Sequence, residues 1–275
     1  MEKEIFVIKE SGEKERFDIV KARKAVKRSG LSEKDTDGII KKFLPRLYNG
    51  ITTRKIYALL FELIEEKRPE ASSRFNLKRA LMELGPAGYN FEDFMGKLLE
   101  LYGYRVVVRQ IIDGKCVRHE IDLIAEKGNE RYMCECKFHN AGGVKCRIQE
   151  ALYTYARFLD LCNSQAAEKD KRFTRPWLIS NTKFSEDVQQ YAECMGFPLL
   201  GWRYPFDNGL ERMIESKKCY PITVIKTNSK NHQKLLASRI ITIFDVPENV
   251  DKLASVSGLH INTAQKIIET ANQIR

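Results

Sequence analysis

Three short apolar-rich segments joined by tight turns constrain this chain most. Arg105–Ile112 runs into Asp113-Gly114, Val117–Ala125 runs into Lys127-Gly128-Asn129, and Arg131–Phe138 closes the series. Asp-Gly and Gly-Asn pairs between alternating apolar residues are hairpin signals, so a three-stranded antiparallel meander is expected. Its apolar face needs a cover. Just upstream, Phe91, Phe94, Met95, Leu98, Leu99 and Tyr102 recur at helical spacing, with Asn90 as the expected N-cap, Asp93 closing a capping box and Gly103 as the stop. Downstream the pattern reads helix, strand, helix, strand, which predicts an α/β or α+β sheet domain over residues 85–220.

Period-two alternation sorts the meander by face. In the third strand Tyr132, Cys134, Cys136 and Phe138 share one face, and Met133, Glu135 and Lys137 share the other. Glu135 and Lys137 are then neighbours, about 6–7 Å apart at Cα. In the second strand Glu120, Asp122 and Ile124 are expected on one face, and a carboxylate between Ile121 and Leu123 needs a partner to be tolerated. A hard divalent cation suits that role: two carboxylates from adjacent strands hold Mg²⁺ or Mn²⁺ by oxygen and leave positions for water and a phosphate. A lysine beside them orients or activates the water, or stabilises transition-state charge.

The order is helix with Glu92, strand with Asp122, next strand with Glu135-x-Lys137. It resembles the PD-(D/E)XK restriction-endonuclease-like superfamily, and specifically the Mrr-type restriction endonuclease domain, over residues 90–204. Further matching pieces are Gly103-Tyr104-Arg105-Val106, Trp177–Phe184, Tyr191-Ala192 and Leu199-Leu200-Gly201-Trp202. The resemblance implies metal-dependent phosphodiester hydrolysis of double-stranded DNA. Asp122 and Glu135 would be metal ligands, Lys137 would assist the water, and Glu92 would complete or orient the shell. Such domains more often show Gln or Glu before the x-Lys and Gly before the Asp motif; here the pairings are Glu135 and Glu120, and Glu120 as an extra acid is similar to archaeal Holliday-junction resolvases. Gln149 and Tyr153 resemble the Gln-x-x-x-Tyr element of RecB-like nucleases, which adds Gln149 to the expected catalytic set. The plainer account of that element is a core helix in which Leu152 and Tyr153 pack and Gln149 sits on the rim.

Cys116, His119, Cys134, Cys136, His139 and Cys146 crowd into the same stretch. Cys134 and Cys136 alternate onto the face opposite Glu135, without the Cys-x-x-Cys knuckle usual for structural zinc, so buried small hydrophobes account for them better. The seven cysteines are odd in number and lack the spacing of a secreted disulfide framework, which predicts free thiols.

Leu84-Gly85-Pro86-Ala87-Gly88 reads as a linker, and it bounds an N-terminal unit over residues 1–84. That unit opens with a short strand, Ile5–Ile8, and a Ser11-Gly12 turn. Val7–Gly12, Glu15–Lys21 and Gly50–Tyr57 resemble the ATP-cone, the allosteric nucleotide-binding domain of ribonucleotide reductases, with Tyr57 where that family often has His. The resemblance implies reversible binding of ATP or dATP. Lys9 and Lys21 would meet phosphates, Thr53 would donate to a phosphate, and Glu15 and Asp18 would sit near base or ribose. In the third segment, 221–275, Leu253–Leu259 followed by Thr263–Ile274 resembles a helix-hairpin-helix, with His260 in place of the usual second glycine; a plain helical packing or dimerisation module is the other reading.

The expected class is thus an α+β or α/β multidomain protein: a helical ATP-cone with a small N-terminal β element, a restriction-endonuclease-like sheet domain and a small helical C-terminal domain. Net charge is +10, with the basic excess in the first and last segments, which suits phosphate-bearing partners. The longest apolar run, Ile56–Phe61, is far short of a membrane span, and Met1-Glu2-Lys3-Glu4 begins no signal peptide, so no membrane partner and a cytoplasmic location are expected. The functional expectation is a DNA endonuclease gated by a nucleotide, acting as a homodimer because cutting both strands takes two sites. The alternatives are a nucleotide-sensing DNA-binding regulator with an inactive nuclease fold, and a junction-resolvase-like or RecB-like nuclease.

Overall fold

A computed structural model describes residues 4–9, 12–85, 88–141, 143–164 and 172–275. Glu10 and Ser11 of the expected first turn, Pro86 and Ala87 of the expected linker, and the first three residues lie outside the described residues. The described chain mixes α and β structure, as expected, and divides into two compact units: residues 1–78 with 269–275, and residues 79–268.

The first unit holds β1 (Phe6–Ile8), β2 (Lys14–Arg16), α1 (Ile19–Arg28), α2 (Glu33–Phe43), β3 (Ile51–Thr52), α3 (Thr53–Lys67) and the start of α4 (Pro69–Met82). β1 lies between its two partners, antiparallel to β2 and parallel to β3. α1, α2 and α3 each start where a short polar side chain satisfies free backbone N–H groups. Asp18 accepts from the amides of Val20 at 2.8 Å and Lys21 at 3.2 Å, Ser32 from Asp35 N, and Thr52 from Lys55 N. The apolar faces meet in a core of Val26, Ile39, Ile40, Phe43, Leu60, Leu63 and Ile64. Each such side chain contributes roughly 1.5–3 kcal/mol on burial.

The second unit is built on a five-stranded mixed sheet. Its elements are α5 (Tyr89–Leu101), β4 (Arg105–Asp113), β5 (Arg118–Lys127), β6 (Glu130–Lys137), β7 (Lys145–Cys146), α6 (Ile148–Cys162), β8 (Arg175–Ser180), β9 (Lys183–Phe184), α7 (Glu186–Met195), β10 (Leu199–Leu200), α8 (Leu210–Lys217), α9 (Ser229–Ala237), α10 (Val250–Ser257) and most of α11 (Ile261–Ile274). The sheet order is β10-β8-β6-β5-β4. β4, β5 and β6 form the antiparallel meander read from the turns, and β8 and β10 add parallel to β6. α5 approaches the sheet closely because Gly96 has no side chain: a Cβ there would stand 3.4 Å from Val108 Cγ1. Leu161 and Phe158 of α6 pack with Ile121, Ile124 and Met133.

Two local expectations are corrected. α5 begins at Tyr89, so Asn90 falls inside the first turn and cannot be the N-cap; its amide instead donates to the Leu84 carbonyl at 2.5 Å. Asp93 closes no capping box because two arginines take its carboxylate. The second correction concerns face. Val108 pairs with Leu123 and Gln110 with Ile121, but Arg109 and Asp122 between them leave the ladder, and Arg109 has φ +49°. This left-handed residue in mid-strand slips the alternation by one place. Ile121 and Ile124 therefore share one core cluster, and Glu120 does not share a face with Ile124 as expected.

Residues 221–268 group with the sheet unit. Lys97 of α5 donates to Asp245 at 2.7 Å, and the buried Thr223 hydroxyl to the Ala80 carbonyl at 2.6 Å. Gly258, at φ +62°, makes the turn between α10 and α11 that the glycine predicted.

Candidate active site

The irregular point of the meander collects the acids. Asp122 accepts the Cys136 amide at 2.7 Å, which pins its carboxylate against β6. Asp122 stands one residue past the last β5–β6 pair, Leu123 with Cys134, close enough for its charge to act on Glu135. Glu92, in the first turn of α5, is 8% exposed. Burial raises the pKa of all three acids from their ordinary values, and the charge of Asp122 raises Glu92 and Glu135 further. Glu135 is pushed up to about 7. Lys137, two residues along the same strand, opposes that shift at both Asp122 and Glu135. Its side chain stays 44% exposed, with the Glu150 carboxylate 4.0 Å away.

Two arginines absent from the sequence reading complete this arrangement. Arg157 of α6 is buried; Nη1 donates to the Glu135 carboxylate and Nη2 to the Glu120 carbonyl. The Tyr153 ring lies under its guanidinium at 5.1 Å. Arg109 donates through Nη1 to Glu92 at 3.2 Å and through Nη2 to Asp93, whose other oxygen takes Arg239. The sequence carried a signal for Arg157, because Ala151, Thr154 and Leu161 mark the buried stripe of α6 and a cation on it needs a partner. It carried none for Arg109, since nothing in its neighbours announces a left-handed arginine.

Asp122, Glu135 and Lys137 therefore converge, and Glu92 joins them from α5. Gln149 is exposed on the first turn of α6, and the neighbour that approaches Lys137 is Glu150. Leu152 and Tyr153 do not pack in the core, being 46% and 58% exposed. Glu120 is exposed and meets Arg157 through its backbone only. Cys134, Cys136 and Cys146 are buried free thiols held protonated by burial. His119 is drawn to Asp160 at 2.8 Å, where Asp160 also accepts the Cys116 and Val117 amides and latches the β4–β5 turn to α6.

Among the described residues no three Asp, Glu, His or Cys side chains close into a ready-made metal cage. The donor set present still fits Mg²⁺ or Mn²⁺. Such ions take one or two carboxylates and fill the remaining positions with water and phosphate. Buried Glu92 and the partly buried Asp122 and Glu135, two of which are raised by the charge of Asp122, gain from a divalent cation.

In the first unit, Lys9 stands 2.8 Å from Glu15 and 3.1 Å from Glu13, and those carboxylates raise its pKa. Glu15 in turn feels Lys21 and Asp18, so four of the five expected nucleotide residues share one locality. Thr53 follows Thr52, the register partner of Ile8, and opens α3. Asp18 and Thr52 spend their side chains on helix caps.

No family model matches the chain. An uncharacterized protein of Archaeoglobus fulgidus is 39% identical over 180 residues, which is 66% of this chain and 99% of the archaeal one. A crystal structure of a protein of unknown function is similar with a TM-score of 0.59 and 39% identity, covering 68% of this chain and 98% of that one.

Proposed function

We propose that this chain, which belongs to the family of the uncharacterized Archaeoglobus fulgidus protein, is a metal-dependent DNA endonuclease with a PD-(D/E)XK site of Mrr type. The observation that carries the reading is the meeting of Asp122, Glu135 and Lys137 on adjacent strands at a break in the sheet, with buried Glu92 beside them. Asp122 and Glu135 supply the oxygens for Mg²⁺ or Mn²⁺, which when bound acts as a Lewis acid on the scissile phosphate and lowers the pKa of water. Lys137, on the open side, holds the attacking water and meets charge developing on the phosphate. Glu92 orients the water shell, and Gln149 stands at the exposed rim where substrate passes. Arg157 holds the Glu135 carboxyl in place and favours its ionised form, against the burial that raises its pKa.

The first unit is assigned the binding of ATP or dATP through Lys9, Glu15, Asp18, Lys21 and Thr53, as a gate on cleavage, and a homodimer supplies the second site for the second strand. Among the described residues no helix is long and apolar enough to cross a membrane.

The test is cleavage of plasmid DNA by wild type and Asp122→Ala. Loss of cutting with DNA binding retained is expected; unchanged cutting in the variant overturns the site. A nucleotide-sensing regulator would shift DNA in a gel and leave it intact in Mg²⁺ and Mn²⁺.

A further inference from the structure

β6, β8 and β10 run parallel, with Lys137 beside Ser180 and Ile179 beside Leu200, so their carboxyl ends open on one side of the sheet. Two further strands lie just beyond those ends. β7 pairs parallel with β9, and the register sets Lys145 against Lys183 and Cys146 against Phe184. Cys146 and Phe184 are buried, which turns the two lysines outward together, and both are exposed. Like charges set directly across a strand pair repel. Among the described residues neither lysine has an ion-pair partner, whereas Arg105, Arg109, Arg157 and Arg203 each hold a carboxylate. The ribbon borders the acidic site: the Cys146 thiol feels Glu150, Lys137 and Glu135. Exposed Arg147 follows directly.

Beyond β10 a second feature faces the same end. The chain turns tightly from Gly201 to Gly209, with Gly201 N donating to the Tyr204 carbonyl at 2.7 Å, Trp202 N to Thr182 O at 2.9 Å and Leu210 N to Gly201 O at 2.9 Å. A Cβ on Gly209 would stand 2.7 Å from Arg203 Cα, so the close approach of the two backbone segments needs glycine there. This turn leaves Phe206 91% exposed. Water is a poor partner for such a ring, whereas a nucleic-acid base or sugar is a good one.

We propose that the β7–β9 ribbon and the Phe206 turn form the surface on which duplex DNA is gripped, with Lys145 and Lys183 on backbone phosphates and Phe206 against a base or sugar. The assignment rests on the nuclease reading above, since it takes the polyanion beside the site to be the substrate. Phosphate contacts position the duplex without reading its sequence.

The test is fluorescence anisotropy of the full chain with a labelled duplex of about 30 base pairs, in EDTA, across a salt series. Replacing both lysines (Lys145→Gln with Lys183→Gln) is expected to weaken binding by about tenfold or more and to flatten the slope of log K against log salt by about 1.8, which is about 0.9 per phosphate released. The double arginine variant, Lys145→Arg with Lys183→Arg, keeps the slope and separates charge from folding. Phe206→Ala is expected to lower affinity by about fivefold with the salt slope unchanged, because an apolar contact to a sugar or a base edge releases no counterion. Wild-type affinity and slope in the glutamine pair overturn the proposal while the nuclease stands. A wild type that binds no duplex overturns the nuclease reading itself.

Discussion

Arg157→Met isolates the charge held at the centre of the site. Arg157 is 7% exposed and spends its guanidinium on the Glu135 carboxylate and the Glu120 carbonyl. Breaking a buried pair by removing one partner costs about 3–5 kcal/mol, because the remaining charge stays buried and unpaired. Here the remaining charge has an escape. Glu135 already titrates near 7 in the intact site, and loss of Arg157 raises it further, so at pH 6 the carboxyl is neutral with or without the arginine. The cost at pH 6 is therefore only the lost donor to Glu120 and lost packing, about 1–2 kcal/mol. Above pH 7 wild type ionises and the variant resists, and the difference grows by about 1.4 kcal/mol per pH unit until the variant ionises too. Urea denaturation at pH 6, 7.5 and 9 measures this, with Glu135→Gln/Arg157→Met as the control that removes the slope. A destabilisation that is flat from pH 6 to 9, or larger at pH 6, refutes the pairing of Arg157 with a buried, raised carboxyl.

The same raised carboxyl sets a sign for the wild type. Folded Glu135 keeps its proton up to about 7 and the unfolded chain releases it near 4.5, so the folded state binds more protons in that window and stability falls as pH rises through it. Mg²⁺ or Mn²⁺, which binds the ionised site, is expected to raise the melting temperature more at pH 8 than at pH 6; an equal or reversed effect contradicts a carboxylate metal site. In the first unit, Lys9→Ala is expected to weaken ATP or dATP binding at least about tenfold by calorimetry, as loss of a charged phosphate contact should. Unchanged affinity removes Lys9 from the nucleotide site.

The meander was legible because its information is local: Asp113-Gly114 and Lys127-Gly128-Asn129 fix the turns, and strands β4, β5 and β6 end within a few residues of where those turns place them. Glu135 and Lys137 were legible for the same reason, lying two apart on one regular strand. Asp122 was found as an acid among apolar neighbours, but its exact surroundings were not, because the slip in alternation comes from Arg109 on the next strand. Asn90 misled because a good cap residue one place inside a helix looks the same in sequence as one at its start. Arg157 and Arg109 act across elements far apart in the chain, and only the packing of α6 and α5 on opposite sides of the break brings them to the acids. The ribbon of Lys145 and Lys183 is the extreme case, made by two two-residue strands with no pattern of their own.

Incubating supercoiled plasmid with wild type and Lys137→Ala in Mg²⁺ or Mn²⁺, each with and without ATP and dATP, tests whether this site cuts DNA under nucleotide control. Cutting by wild type alone, at a rate that nucleotide changes, is the predicted result. Intact plasmid under every condition, methylated and unmethylated DNA alike, contradicts it.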